Sequence, residues 1–466
     1  YDYWEMMRKH PRCIGGFLWV LADEGVKRVD MDGFIDNQGN FGADGIVGPH
    51  HEKEGSYYTI KQLWSPVQVM NTAIDRNFDG KLSVENRYDY LNLNTCRFIW
   101  QQVKFPSVTD ASNTTTRILK QGEVQGSDVA AHGVGVVDIK TSILPEADAL
   151  FLTVIDKYGY ELWRWTFPVD KLNRETEQFS ASSGRASYTE TEKGITVKAN
   201  GRTFVFSKKD GQLKDVSVNN RKISFANGPR FIGARRADRS LDQFYNHDDE
   251  KAKAKDRTYS EFTDAAVFTK LDVKEEGGNL ILTANYKLGN LDKAQWTIHP
   301  DGMATLDYTY NFSGVVDLMG ICFDYPEEQV LSKRWLGAGP YRVWQNRIHG
   351  TQYDIWENDY NDPIPGETFT YPEFKGYFGS VSWMSIRTKE GTISLTNETP
   401  DSYIGVYQPR DGRDRLLYTL PESGISVLNV IPPVRNKVNS TDLCGPSSQP
   451  KWVDGPQTGR LVLRFE

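Results

Sequence analysis

Cysteine is scarce in this sequence. Four occur in 466 residues, Cys13, Cys96, Cys322 and Cys444, and no two form a CxxC pair. That spacing argues against a metal cluster, and the number is too small for a disulfide scaffold, so cysteine usage leaves the compartment open. Long apolar runs are also missing: 38% of residues are hydrophobic and none of the runs approaches a membrane span. Positive charge is in deficit, with a net charge of −7. This argues against a nucleic-acid or anionic-membrane partner. There is no fixed-period repeat, no low-complexity block, no initiator Met and no visible targeting segment. Tyr1 opens inside what reads as a helix, so a leader could have preceded it.

Aromatic residues, by contrast, are plentiful, at 12% of the chain. A polar, aromatic-rich, mildly acidic composition suits a carbohydrate-handling protein, because sugars present CH faces to rings and hydroxyls to carboxylates. An ordinary acidic soluble protein fits the same numbers equally well.

The chain divides by pattern. Residues 1–65 are α/β in character. "YDYWEMMRKH" reads as a helix, and "CIGGFLWVL" is a continuous apolar run, as a parallel strand buried on both faces would be. The Gly- and Asp-rich stretch from Asp30 to Gly55 reads as a long loop, and "SYYTIKQLW" as a short helix ending before Pro66. Residues 66–169 alternate apolar and polar between Gly, Asn, Asp and Pro breaks, the pattern of a β-sandwich. A polar, Ser-rich linker covers 170–187, and residues 188–466 form a second, larger β domain with hairpin signals at "KKDGQ", "EEGGN", "HPDGM" and "TKEGT". One helix and one strand cannot make an independent core, so the first segment must pack on the β domains or belong to a domain encoded upstream.

Four ordered motifs carry a resemblance. They are "GGFLWVLADEG" (Gly15–Gly25), "FGADGIVGPHHEKEG" followed by "YTIKQLWSPV" (Phe41–Val67), "NRYDYLNL" (Asn86–Leu93) and "WLGAGPYRVWQNR" (Trp335–Arg347). In this order they resemble the C-terminal half of glycoside hydrolase family 2, in particular the large bacterial β-galactosidases, and the likeness covers essentially the whole chain. It implies a mainly β fold: the C-terminal end of a TIM barrel, an immunoglobulin-like β-sandwich, and a large galactose-mutarotase-like β-sandwich.

The resemblance also implies site residues. Catalytic groups of a TIM barrel lie at the C-terminal ends of its strands. Trp19 falls at the end of the eighth strand, where the family's indole walls the sugar pocket; a core Trp at a barrel-to-sandwich contact is the alternative. Phe41 and Asp44 fall where the family has a Phe and an Asn lining the pocket, the Asn and the Phe carbonyl contributing to a monovalent cation site in some members. Asp44 replaces that Asn and could ligate a cation, accept a sugar hydroxyl, or simply serve an Asp-Gly turn. No cofactor is required, with a monovalent or divalent cation as in related β-galactosidases the one candidate.

Retaining enzymes of this family use two Glu carboxylates roughly 5–5.5 Å apart. By the family's order both lie upstream of this sequence, so no catalytic residue is assigned within it. Asn397–Glu398 looks like the acid/base motif but follows a strand of the last β domain. Asp23 and Glu24 share one loop and cannot serve both faces of a sugar, and His50 and His51 read as solvated. Other departures are Val20 and Leu21 after Trp19, Thr59 for the exit-helix Glu, and Arg342 and Trp344 in the last motif. Arg235, Arg236, Arg239 and Arg342 could favour a uronide, since guanidinium binds carboxylate bidentately, or could make surface ion pairs. Trp344, Trp356 and Trp383 are candidates for a rim aromatic, each read more readily as core.

The expectation is therefore the C-terminal region of a retaining exo-β-glycosidase acting on terminal sugars of oligosaccharides or glycosides, inactive alone. Alternatives are another family 2 specificity such as a β-uronidase, or a non-catalytic carbohydrate-binding or scaffold protein. Its partner would be a carbohydrate, with neither nucleic acid nor membrane, and a homo-oligomer is compatible. A bacterial periplasmic or secreted location, or else the cytoplasm, follows from the enzyme class alone.

Overall fold

A computed structural model describes residues 1–36, 42, 45–110, 115–169, 184–236, 259–262, 264–359, 376–406, 421, 423–433 and 445–466. The described chain is mainly antiparallel β-sheet with two α-helices, Asp2–Lys9 and Gly55–Leu63. No helix among the described residues is long and apolar enough to cross a membrane. Cys13 is exposed and Cys96 and Cys322 are buried, all three as free thiols, while Cys444 lies outside the described residues.

The smaller sandwich pairs a three-stranded sheet (Val67–Val69, Lys81–Asn86, Val134–Asp138) with a four-stranded one. The second sheet runs in the order Arg117–Gln125, Arg97–Lys104, Ala149–Ile155, Glu161–Pro168. Period-two alternation decides which side chains turn inward. Leu82, Val84, Phe98, Trp100, Leu152, Trp163 and Trp165 meet in one core. Asn86 ends its strand fully buried, where an unpaired amide would be costly. Its Nδ2 donates to the carbonyls of Leu91 (2.8 Å) and Val129 (2.9 Å), and its Oδ1 accepts from the Tyr88 amide (3.0 Å). That gives "NRYDYLNL" a physical reading as a hydrogen-bonded corner.

The larger sandwich packs an 11-stranded sheet on a 9-stranded one. Phe204, Phe206, Phe225, Trp296, Tyr310, Phe323 and Trp335 fill the space between them. All four hairpin signals are hairpins. Gly277 and Gly278, both at positive φ (58° and 87°), make the two-residue turn between Val267–Glu276 and Asn279–Lys287. Such turns need φ > 0 at both central positions, which glycine adopts without strain. The final strand, Lys451–Phe465, lies between Ala304–Val316 and Thr392–Asn397 and pairs with both. The stretch 170–183, most of the expected linker, lies outside the described residues.

The two sandwiches share a small core of Val103, Phe105, Ala149 and Phe151 against Leu336 and Trp383. Across this seam Arg164 donates to Gln352 Oε1 (2.8 Å) and Asp354 Oδ2 (3.2 Å), and the Tyr353 amide donates to Thr166 Oγ1 (2.7 Å).

The N-terminal segment differs from expectation. Residues 13–20 form no strand. The relative exposures of Ile14 (104%), Phe17 (105%) and Trp19 (79%) put the apolar run in solvent. The TIM-barrel end is thus not formed among the described residues. A parallel strand buried on both faces needs a neighbour on each edge and a layer over each face, and no described segment supplies them. The expected loop is also more structured than its composition suggests. Val26–Arg28 and Phe34–Asp36 pair as a hairpin, with Arg28 bridging Asp30 (2.7 Å) and Asp36 (3.0 Å).

Candidate functional site

Three motifs far apart in the chain meet at one place. The first, after Trp19, turns inward at Ala22, which forms a parallel bridge with Val47. Asp23 follows and is buried; its amide donates to the Val47 carbonyl (2.9 Å) and its Oδ1 accepts from the Gly45 amide (2.7 Å). Position 45 must be glycine, because a Cβ there would lie 2.4 Å from the Asp23 nitrogen. The second motif continues to Glu54, the N-cap residue of the helix Gly55–Leu63, and Glu54 is buried as well. The third supplies Tyr341 and Arg347. The Tyr341 ring packs 5.2 Å from that of Tyr58, its hydroxyl donates to the Lys53 carbonyl (3.3 Å), and Arg347 adds a positive field at Glu54.

Glu54 is the most perturbed carboxyl group of this site. Burial, followed by the adjoining Asp23 carboxylate, pushes it up to about 8, with Arg347 pulling the other way. A helix N-terminus favours a charged carboxylate, but here desolvation and like charge win. Neither Glu54 oxygen accepts a hydrogen bond from a described protein group. Burial and the neighbouring Asp23 charge thus favour the protonated form of Glu54. Both carboxyl groups are shut away from solvent, so they cannot flank a sugar; they fix the Trp19 loop to the start of the helix.

The same helix is fastened to the larger sandwich. Thr59 Oγ1 donates to the His349 carbonyl (2.8 Å), and the Gly350 amide donates to Gln62 Oε1 (2.6 Å). Thr59 stands where the resemblance has a Glu, and here its hydroxyl makes the tie. Gly350 has φ +85°, and a Cβ on it would meet the Thr59 nitrogen at 2.4 Å. The first helix is tied through Asp2, which accepts from the Ser447 amide (2.8 Å), and through Arg8 Nη2, which donates to Glu85 Oε1 (2.9 Å). Arg87 reaches back to Glu5 (3.4 Å).

Trp19 stands exposed at the outer edge of this assembly, while Phe41 and Asp44 lie outside the described residues. Glu24, His50 and His51 are exposed, and among the described residues no group of three or more metal-ligating side chains occurs. Trp344 and Trp383 are buried in separate core clusters, and the Trp356 indole donates to the carbonyls of Gly337 and Gln352 (both 3.1 Å). Arg342 is buried with its guanidinium 5.0 Å from the Phe378 ring centroid, Arg235 is exposed, and Arg239 and the Arg236 side chain lie outside the described residues. Asn397 and Glu398 serve the turn after Thr392–Asn397. Asn397 bonds Ser402 Oγ (2.9 Å), and Glu398 lies 3.5 Å from Arg460. Sequence reasoning missed Glu54 and the charges of Asp23 and Arg347 that act on it. Their shared membership of family-like motifs was the available signal.

Comparison with known proteins gives one family model, described as the β-galactosidase small chain, which matches residues 198–427. The β-galactosidase of Priestia megaterium is 22% identical over 435 residues, covering 86% of this chain and 39% of that protein. The β-galactosidase of Staphylococcus xylosus is 21% identical over 438 residues, covering 86% and 41%. That of Pseudoalteromonas haloplanktis is 19% identical over 405 residues, covering 78% and 37%. The chain thus spans about two fifths of the length of these relatives. Among solved structures, galactose 1-epimerase from Lactobacillus acidophilus aligns with 61% of this chain and 99% of its own, at 10% identity and a TM-score of 0.32. The chain is similar to the β-galactosidase small chain.

Proposed function

We propose that this chain is the C-terminal region of a retaining, exo-acting β-glycosidase of β-galactosidase-like type, which removes terminal sugars from oligosaccharides or glycosides. The observation that carries the reading is the asymmetry of the alignments: relatives named β-galactosidase match 86% of this chain with 39% of their own length. The exposed apolar row at Ile14, Phe17 and Trp19 supports it, since the same side chains would be covered if the segment were a barrel strand. In this reading residues 1–65 close the barrel, 66–169 and 188–466 brace it, and 170–187 link the two sandwiches. Trp19 packs one indole face on the sugar. The nucleophile and acid/base lie in the part of the enzyme outside this sequence. Phe41 and Asp44 would border the same pocket, and no step is routed through a cation there.

The test is an assay of nitrophenyl β-galactoside hydrolysis by the product of the full reading frame and by this chain alone. Turnover by the former and none by the latter supports the proposal. A full product inactive on every nitrophenyl glycoside would overturn it in favour of a carbohydrate-binding or scaffold protein.

A further inference from the structure

Away from the N-terminal segment, a cleft of about 1020 Å³ opens along the seam between the two sandwiches. Thr72–Asp75, Phe78 and Thr166–Val169 line it from the smaller sandwich. Tyr353, Ser380–Ser382, Asn397–Tyr403, Asn429 and Lys451 line it from the larger one. Among the described residues none before Thr72 lines it, so neither Trp19 nor the Asp23–Glu54 pair belongs to the cleft.

Its wall is mixed in a particular way. Partly exposed rings come from Tyr353, Tyr403 and Phe78, while Phe167 belongs to the core of the smaller sandwich. Amide and hydroxyl groups stand between them, several held in place by bonds made behind the surface. Tyr310 donates its hydroxyl to Asn429 Oδ1 (2.6 Å), which leaves the Asn429 NH2 as the group it can offer to the cleft. Tyr353 and Ser382 share a hydroxyl–hydroxyl bond (2.5 Å), and Asn397 Nδ2 donates to Ser402 Oγ (2.9 Å). Prearranged hydroxyl and amide groups alternating with ring faces are the chemistry that a neutral saccharide needs: the rings take its CH faces and the polar groups its hydroxyls. A phosphate or carboxylate ligand would instead meet three carboxylates in the lining, Asp75, Asp401 and Glu398, against the single ammonium of Lys451. The volume is at the upper end of small-molecule sites, about 300–1,000 Å³, and admits a ligand of disaccharide size or more.

We propose that the cleft between the two sandwiches is a second carbohydrate site, which binds a short neutral oligosaccharide without hydrolysing it. The proposal does not depend on the enzyme reading, because it uses none of the N-terminal residues.

The test is calorimetric and NMR titration of the chain with galactobiose and cellotetraose, and with digalacturonate as the acidic control. Saturable binding of a neutral sugar is expected, with the acidic control excluded. Asn429→Asp keeps an acceptor for Tyr310 and exchanges the NH2 donor for a charged carboxylate oxygen, so it should weaken binding about tenfold, with a thermal melt to show that the chain still folds. Ala73→Trp, at an exposed position on the rim, should block binding without touching either core. Trp19→Ala should leave it unaltered. The proposal is overturned if neither neutral sugar binds, if digalacturonate binds as well as they do, or if binding survives Ala73→Trp and Asn429→Asp but is lost in Trp19→Ala.

Discussion

Asp23 and Glu54 bury their carboxyl groups in one place, and that place joins the loop after Trp19 to the first turn of the helix Gly55–Leu63. The Glu54 proton follows pH in a defined direction. Its carboxyl group is raised in the folded chain to about 8, from an ordinary carboxylate value near 4.5 in the unfolded one. The folded state therefore binds the extra proton, and stability falls as pH rises from about 4.5 to 8. Glu54→Gln mimics the protonated group and should flatten that slope. At pH 8 it should be more stable than the native chain by on the order of 2 kcal/mol, after discounting for incomplete burial. Thermal melts of both proteins from pH 4.5 to 8.5 measure this; parallel curves would refute it.

Trp19→Ala separates packing from sugar contact. With its ring in solvent, Trp19 contributes little to the stability of this chain, so the Tm should hold steady. In the full enzyme the lost contact, worth about 1.5–3 kcal/mol of apolar burial, should lower kcat/KM by roughly ten- to a hundredfold. Normal kinetics in the full enzyme would remove Trp19 from the pocket wall.

The chain alone should show no turnover of nitrophenyl β-galactoside, because the carboxylate pair assigned to catalysis by the resemblance lies outside it. Hydrolysis clearly above a heat-killed control would contradict that assignment.

Asn86→Ala removes three bonds from a buried corner and strands the Leu91 carbonyl, while the Val129 carbonyl keeps the Leu93 amide. Its cost should be about 3 kcal/mol in a urea titration. A loss below about 0.5 kcal/mol, the usual range for surface changes, would mean that the corner holds without its amide.

Gly350→Ala tests the tie between the second helix and the larger sandwich. A side chain at φ +85° that also meets the Thr59 backbone at 2.4 Å forces one of them to move. Destabilisation of about 2 kcal/mol is expected, and hydrogen exchange should quicken in Gly55–Leu63 first.

The parts of the fold that were legible were those governed by local rules. The Gly277–Gly278 turn announces itself because two successive positive φ values leave few residues to choose from. Alternation in Lys81–Asn86 shows its inward face for the same local reason. The run Cys13–Leu21 forms no strand here because an apolar sequence states what environment it requires, not whether that environment is present. The meeting of Asp23, Glu54 and Arg347 was invisible for a different reason: each lies in its own motif, and only the fold sets them together. Arg342 is a case where burial was not legible. A guanidinium suggests an open site or a surface ion pair, yet this one is buried with its central carbon 5.0 Å from the Phe378 ring centroid.

The placement of Lys451–Phe465 bears on how the molecule is made. Until those residues leave the ribosome, Val267–Glu276 through Ala304–Val316 and Val330–Gly339 through Thr392–Asn397 are two half-sheets with no shared ladder, each ending in an unsatisfied edge. Unpaired edges recruit foreign strands. A nascent chain stalled before Lys451 would carry both edges at once, so termination there should yield aggregates and proteolysis rather than a slightly shortened, working sandwich.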